Sequence, residues 1–88
     1  MSEPYPAQIT ARAARDLQRL TEKIATACVE FIFGALVENP RRVGKPLREE
    51  LVGLHSGRRG DYRVIYAIVE KPRRMEIVHI HRRSDLYG

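Results

Sequence analysis

The stretch that most limits how this chain can fold is DYRVIYAIV, residues 61–69. Strand alternation puts Tyr62, Val64, Tyr66 and Ile68 on one face and Arg63, Ile65, Ala67 and Val69 on the other. An arginine therefore sits within an otherwise apolar row. If both faces were covered, its guanidinium would need a buried carboxylate, at considerable desolvation cost. An open face removes that demand and leaves a rigidly held Arg63 able to grip a phosphate with two parallel hydrogen bonds. The alternative pairs Arg63 with Asp61 or Glu76 on a solvated sheet face.

Two flanking segments, 51–57 (LVGLHSG) and 75–81 (MEIVHIH), also read as strands. Gly60-Asp61 and Lys71-Pro72-Arg73 supply turn chemistry between them, so adjacent antiparallel pairing is expected. Alternation in the last strand places His79 and His81 on one face, with Val78 and Ile80 opposite. Upstream, residues 5–10 suit a short strand, and a helix starts near Thr10 with Ala14, Leu17 and Leu20 near one face. Thr21 caps a second helix, with Glu22 in its first turn and a stripe of Ile24, Cys28, Phe31 and Ala35 widened by Ile32 and Leu36. It ends before Asn39-Pro40, because the proline ring disfavours helical backbone in the residue before it. The expected fold is α+β: a small twisted antiparallel sheet of about four strands with an N-terminal helical hairpin on one face. At 88 residues, a single domain spanning 1–88 is expected.

Charge is unevenly spread. Residues 1–40 hold four Lys/Arg against five Asp/Glu, whereas residues 41–88 hold twelve against six, so the second half is the electropositive one. Such a surface attracts phosphate backbones or an acidic protein. The lone Cys28 excludes an internal disulfide, and MSEPYPAQIT lacks the features of a secretory signal, so a cytoplasmic protein is expected. No apolar run approaches the roughly 18 residues of a spanning helix, and no membrane role is expected.

The closing HIHRRSDLYG sets His79, His81, Arg82 and Arg83 at the end of the last strand, with Tyr87 in a following turn. Arg, His and Tyr without a carboxylate pair suit phosphodiester chemistry: charge stabilisation on phosphoryl oxygens plus a proton donor or acceptor. Alternate histidines can also ligate a metal, but no clear third and fourth ligand accompany them, so no metal is expected.

GKPLREELVGLHSGRRGDYRVIYAI followed by HIHRRSDLY resembles the bacterial RelE/ParE toxin superfamily, and its RelE-type members in particular, over nearly the whole of Ile9 to Tyr87. The resemblance implies the RelE-like fold, with an RNA-binding concavity on the sheet face away from the helices. It further implies a ribosome-dependent endoribonuclease, which cuts mRNA in the ribosomal A site through attack of the 2′-hydroxyl on the adjacent phosphate. That activity requires no metal or other cofactor and is neutralised by a cognate acidic, RelB-like antitoxin. Arg63 matches the strand arginine that contacts the scissile phosphate. Arg82, or Arg83 if a one-residue gap intervenes, matches the arginine that steadies the transition state or leaving group. Tyr87 matches the C-terminal tyrosine that stacks on a base or helps activate the nucleophile. The basic residues common on the preceding strand are incompletely matched: His55 and Ser56 stand in their place, Arg58 and Arg59 lie nearer the turn, and Lys45 and Arg48 could reach across from the preceding loop. His81 is the preferred general base, since histidine titrates near neutral pH, with Tyr87 as the alternative. Two other classes stay open: a ParE-like poison of DNA gyrase, and a non-catalytic basic module that binds nucleic acid or an antitoxin.

Overall fold

The computed structural model describes residues 3–48 and 51–82. Thr10 and Thr21 start the first two helices as expected. Each has extended backbone, and each hydroxyl oxygen accepts from the amide three residues on, Ala13 N–H at 3.3 Å and Ile24 N–H at 3.4 Å. Helix α1 covers Ala11–Gln18 and α2 covers Glu22–Phe31. A π-helical turn, Ile32–Leu36, then prolongs α2. Its wider pitch brings Leu36 and Val37 onto the face of Ile32, while Ala35 turns to solvent, so the stripe runs Cys28, Ile32, Leu36 and not through Ala35.

Past Asn39 the loop is more ordered than the sequence suggests. Pro40–Val43 forms a one-turn helix, α3, started by the proline, and Lys45–Pro46 adds a two-residue strand, β2. The others are β1 (Ala7–Ile9), β3 (Leu54–Arg59), β4 (Tyr62–Glu70) and β5 (Arg73–Arg82). They form one five-stranded sheet in the order β1-β5-β4-β3-β2. Each neighbouring pair among β2, β3, β4 and β5 is antiparallel, while β1 runs parallel to β5 with Ala7 opposite Met75. The β3–β4 hairpin closes through Gly60, whose φ of 60° is costly for any residue with a Cβ.

The core lies on the sheet face that carries Val64, Tyr66, Met75, Ile77 and Ile80, against Ala13, Cys28, Ile32, Leu36 and Val37. Tyr66 is fully buried and donates its hydroxyl hydrogen to the Pro40 carbonyl, tying α3 to the sheet. Burial pushes its phenol up to about 12, against a smaller opposing contribution from the Gly44 backbone.

Strand β5 departs from simple alternation. Ile65 pairs with His79 and Tyr66 with Ile77, which leaves Val78 as an extra residue in a β-bulge. The bulge changes the phase of the strand, so Ile77 and Ile80 both face the core. Val78 lies beside His79 and His81, not opposite them as alternation had implied.

Beyond Ile77 no strand among the described residues covers the outer edge of β5. Helix α1 does so instead: Thr10 N–H and its hydroxyl both donate to the Ile77 carbonyl, and the Asp16 carboxylate accepts from Ile80 N–H at 2.9 Å. No helix among the described residues is long and apolar enough to cross a membrane.

Candidate active site

The face of the sheet away from α2 gathers most of the described candidate side chains. Cross-strand partners share a face, so the pairs Arg58 with Arg63 and Arg63 with His81 make one row across β3, β4 and β5. Lys45, Ser56, Ile65 and His79 form the next row. Directly opposed arginines repel, an arrangement that an anion between them would relieve.

Beside these rows lies a cleft of about 230 Å³. Leu47, Leu51, Leu54, Ile65 and Val78 give it apolar walls, and Arg12, Arg63, His79 and His81 give it a polar side. Within it, the Arg63 Nε is buried and has no hydrogen-bond partner among the described residues. Neither carboxylate considered for Arg63 pairs with it: Glu76 holds Arg74 at 3.2 Å, and Asp61 makes no ion pair among the described residues.

Asp16 reaches this side from α1. Its Oδ2 accepts from Ile80 N–H and lies 2.6 Å from His79 Nδ1, while Arg12 Nη2 lies 3.4 Å from His79 Nε2. Burial opposes the carboxylate charge, but the Ile80 and His79 hydrogen bonds, with the nearby charges of His79 and Arg12, outweigh it and hold the carboxyl below the usual range. The His81 ring centroid is 4.8 Å from that of His79, and its Nδ1 lies 2.9 Å from the Arg82 carbonyl.

The depressed Asp16 pKa has a consequence for stability. Such a carboxylate stabilises the fold fully above its unfolded value near 3.8 and loses that contribution as pH falls through its folded value. Asp16→Asn is expected to cost about 1 kcal/mol near neutral pH, with the gap to wild type closing in acid. Urea unfolding at a series of pH values measures it.

The sequence-derived candidates divide between the two faces. Arg58, Arg63, His81 and the exposed Lys45 share the open one, and Arg48 is exposed just after β2. Three others require correction. His55 pairs with Tyr66 on the helix-covered face and stacks on that ring at 5.5 Å, and burial, with the nearby Arg41 charge, pushes its pKa below the ordinary histidine value. Arg59 also points to that side, beside Lys23 and Ile24 of α2, and Arg82 pairs with Tyr62 there beside Arg19. Each is an alternation effect: one residue along a strand reverses the face. Arg83 and Tyr87 lie outside the described residues. Arg12 joins the cleft, and Asp16 lies behind it against His79, although the sequence reading singles out neither. The available signal was that Asp16, with Ala13, Leu17 and Leu20, falls on the buried stripe of α1, where an unpartnered carboxylate is costly.

Comparison with known proteins identifies relatives of this fold. The model of the family described as "ParE toxin of type II toxin-antitoxin system, parDE" matches residues 7–87. Toxin RelE of Mycobacterium tuberculosis is 68% identical over 84 residues, covering 96% of this chain and 87% of the relative. Toxin RelG of the same organism is 46% identical over 84 residues, covering 96% and 97%. The crystal structure of the toxin-antitoxin complex RelBE2 from M. tuberculosis matches with a TM-score of 0.88 and 46% identity, over 92% of this chain and 100% of that one. The chain therefore belongs to this family of type II toxins and is a RelE-like member of it.

Proposed function

We propose that this toxin is a ribosome-dependent, metal-independent mRNA endoribonuclease in which the RNA's own 2′-hydroxyl attacks the adjacent phosphate. The observation that carries this reading is the Arg63 guanidinium, partly buried at the cleft with its Nε unpartnered among the described residues. A partly desolvated guanidinium lining a cleft is matched by a phosphoryl oxygen on which charge develops. Arg58 adds a second cation in the same row, and Lys45 and Arg48 guide the RNA backbone. The apolar walls suit the flat face of a base. His81 serves in proton transfer. Arg83 steadies the leaving group, with Arg82, which pairs with Tyr62 but shares a hollow with His79 and His81, as the alternative. Tyr87 stacks on a base. The protein works in the cytoplasm as one domain of residues 1–88, held inactive by an acidic antitoxin that neutralises the surface of residues 41–88.

The test is induced expression in bacteria, with mRNA ends mapped by primer extension. Cuts confined to translated reading frames are expected. The other reading is a poison of DNA gyrase, the activity implied by the resemblance to ParE-type toxins, whose name the family description carries. Growth arrest with gyrase-linked DNA breaks and intact mRNA would replace the nuclease by that reading.

A further inference from the structure

Asp16 and Arg12 do more than flank the cleft: together they fix which nitrogen of His79 carries its proton. An ionised carboxylate accepts only, so the hydrogen in the 2.6 Å contact with Asp16 Oδ2 belongs to His79 Nδ1. A guanidinium donates only, so His79 Nε2, 3.4 Å from Arg12 Nη2, must present a lone pair. In its neutral form the imidazole therefore carries its hydrogen on Nδ1 and its lone pair on Nε2. The carbonyl of Arg82 likewise accepts only, which places a hydrogen on His81 Nδ1 and leaves His81 Nε2 to carry or release the second proton. One edge of β5 therefore presents two imidazoles 4.8 Å apart with differently constrained nitrogens.

We propose, on the basis of the nuclease reading above, that these two histidines divide the proton traffic. His79 is the general base, Asp16 is its positioning residue, and His81 is the general acid. In the reaction His79 Nε2 takes the proton of the 2′-hydroxyl as that oxygen forms its bond to phosphorus. The P–O5′ bond breaks, and protonated His81 delivers its Nε2 proton to the departing 5′-oxygen. The products are a 2′,3′-cyclic phosphate and a 5′-hydroxyl, with His79 left protonated and His81 neutral until His79 gives its proton to solvent and His81 takes one back. Arg63 holds the non-bridging oxygens throughout. Asp16 contributes twice: it keeps Nδ1 protonated before the step and stabilises the imidazolium that His79 becomes, the same logic by which a buried carboxylate serves a histidine base elsewhere.

The experiment uses the purified toxin with ribosomes programmed with a defined mRNA, and a matched mRNA carrying sulfur in place of the 5′-bridging oxygen. Sulfur leaves without needing a proton, so the two roles separate. His79→Ala should cut more slowly by about 10²–10³-fold on both substrates, with partial recovery on adding imidazole. His81→Ala should be slow on the oxygen substrate and near wild type on the sulfur one. Asp16→Asn should lower kcat by about tenfold or more with KM unchanged. A ¹H–¹⁵N spectrum of the wild-type protein should show His79 protonated at Nδ1 and bare at Nε2 when neutral, a readout independent of turnover. If His79→Ala fails to fold, His79→Gln takes its place. Near-normal cleavage by the His79 variant, sulfur rescue of that variant in place of the His81 one, or a neutral His79 protonated at Nε2 would each overturn the assignment while leaving the nuclease intact. Absence of cleavage by the wild type overturns the nuclease reading itself, and the assignment with it.

Discussion

Arg63→Ala is expected to lower ribosome-dependent mRNA cleavage by about 10²–10³-fold, the usual cost of removing a preorganised donor from a developing anionic charge. Stability should move the other way or not at all. The side chain leaves a buried Nε without a partner among the described residues, and it stands directly opposite Arg58. Removing it relieves both burdens. A residue whose loss abolishes turnover without weakening the fold is hard to explain by structure alone. Arg63→Lys should recover little, because an ammonium lacks the planar fork that grips two oxygens at once. Initial rates on programmed ribosomes, paired with thermal melts of the three proteins, provide the check. Cleavage by the alanine variant within a few fold of wild type would remove Arg63 from the mechanism.

Gly44→Ala should have the largest effect on stability. A Cβ at this position would lie 2.0 Å from Tyr66 Oη, 2.8 Å from its Cζ and 3.0 Å from the Ser56 carbonyl oxygen. Tyr66 cannot swing aside, since its ring is fully buried and its hydroxyl is committed to the Pro40 carbonyl. The α3–β2 junction must therefore shift, at a cost of about 3 kcal/mol or more. Tyr66→Phe alone should cost about 1–2 kcal/mol, because it strands a buried carbonyl. Combined with Gly44→Ala it should cost less than the sum, since removing the hydroxyl removes the closest clash. Urea unfolding of the single and double variants measures the coupling, and strict additivity would mean that the clash is relieved elsewhere.

Much of this was visible in local chemistry. The alternation of β4, the threonine caps and the stop at Asn39-Pro40 depend on neighbours within a few residues, and they stand where the sequence suggests. What escaped depends on distant partners. The apolar positions of MEIVHIH change phase between Ile77 and Ile80, but the bulge that absorbs the change is fixed by Asp16, 64 positions away, accepting from Ile80 N–H. The parallel seat of β1 on β5 is equally remote. Lys45–Pro46 is too short to show periodicity. The open face was legible from Arg63 alone. Which of Ser56, Arg58 and His55 joined it depended on the register of β3, and the hairpin turn, not the strand's composition, set that.

The rims of the sheet bear on what happens when the chain is without a binding partner. A free strand edge is a template on which further copies can add. At one rim β1 offers three residues before α1 takes over the amides and carbonyls of β5. At the other, β2 is two residues long, one of them a proline that has no hydrogen to donate and the other an exposed lysine. Among the described residues, neither rim offers a long free strand on which a further copy could template.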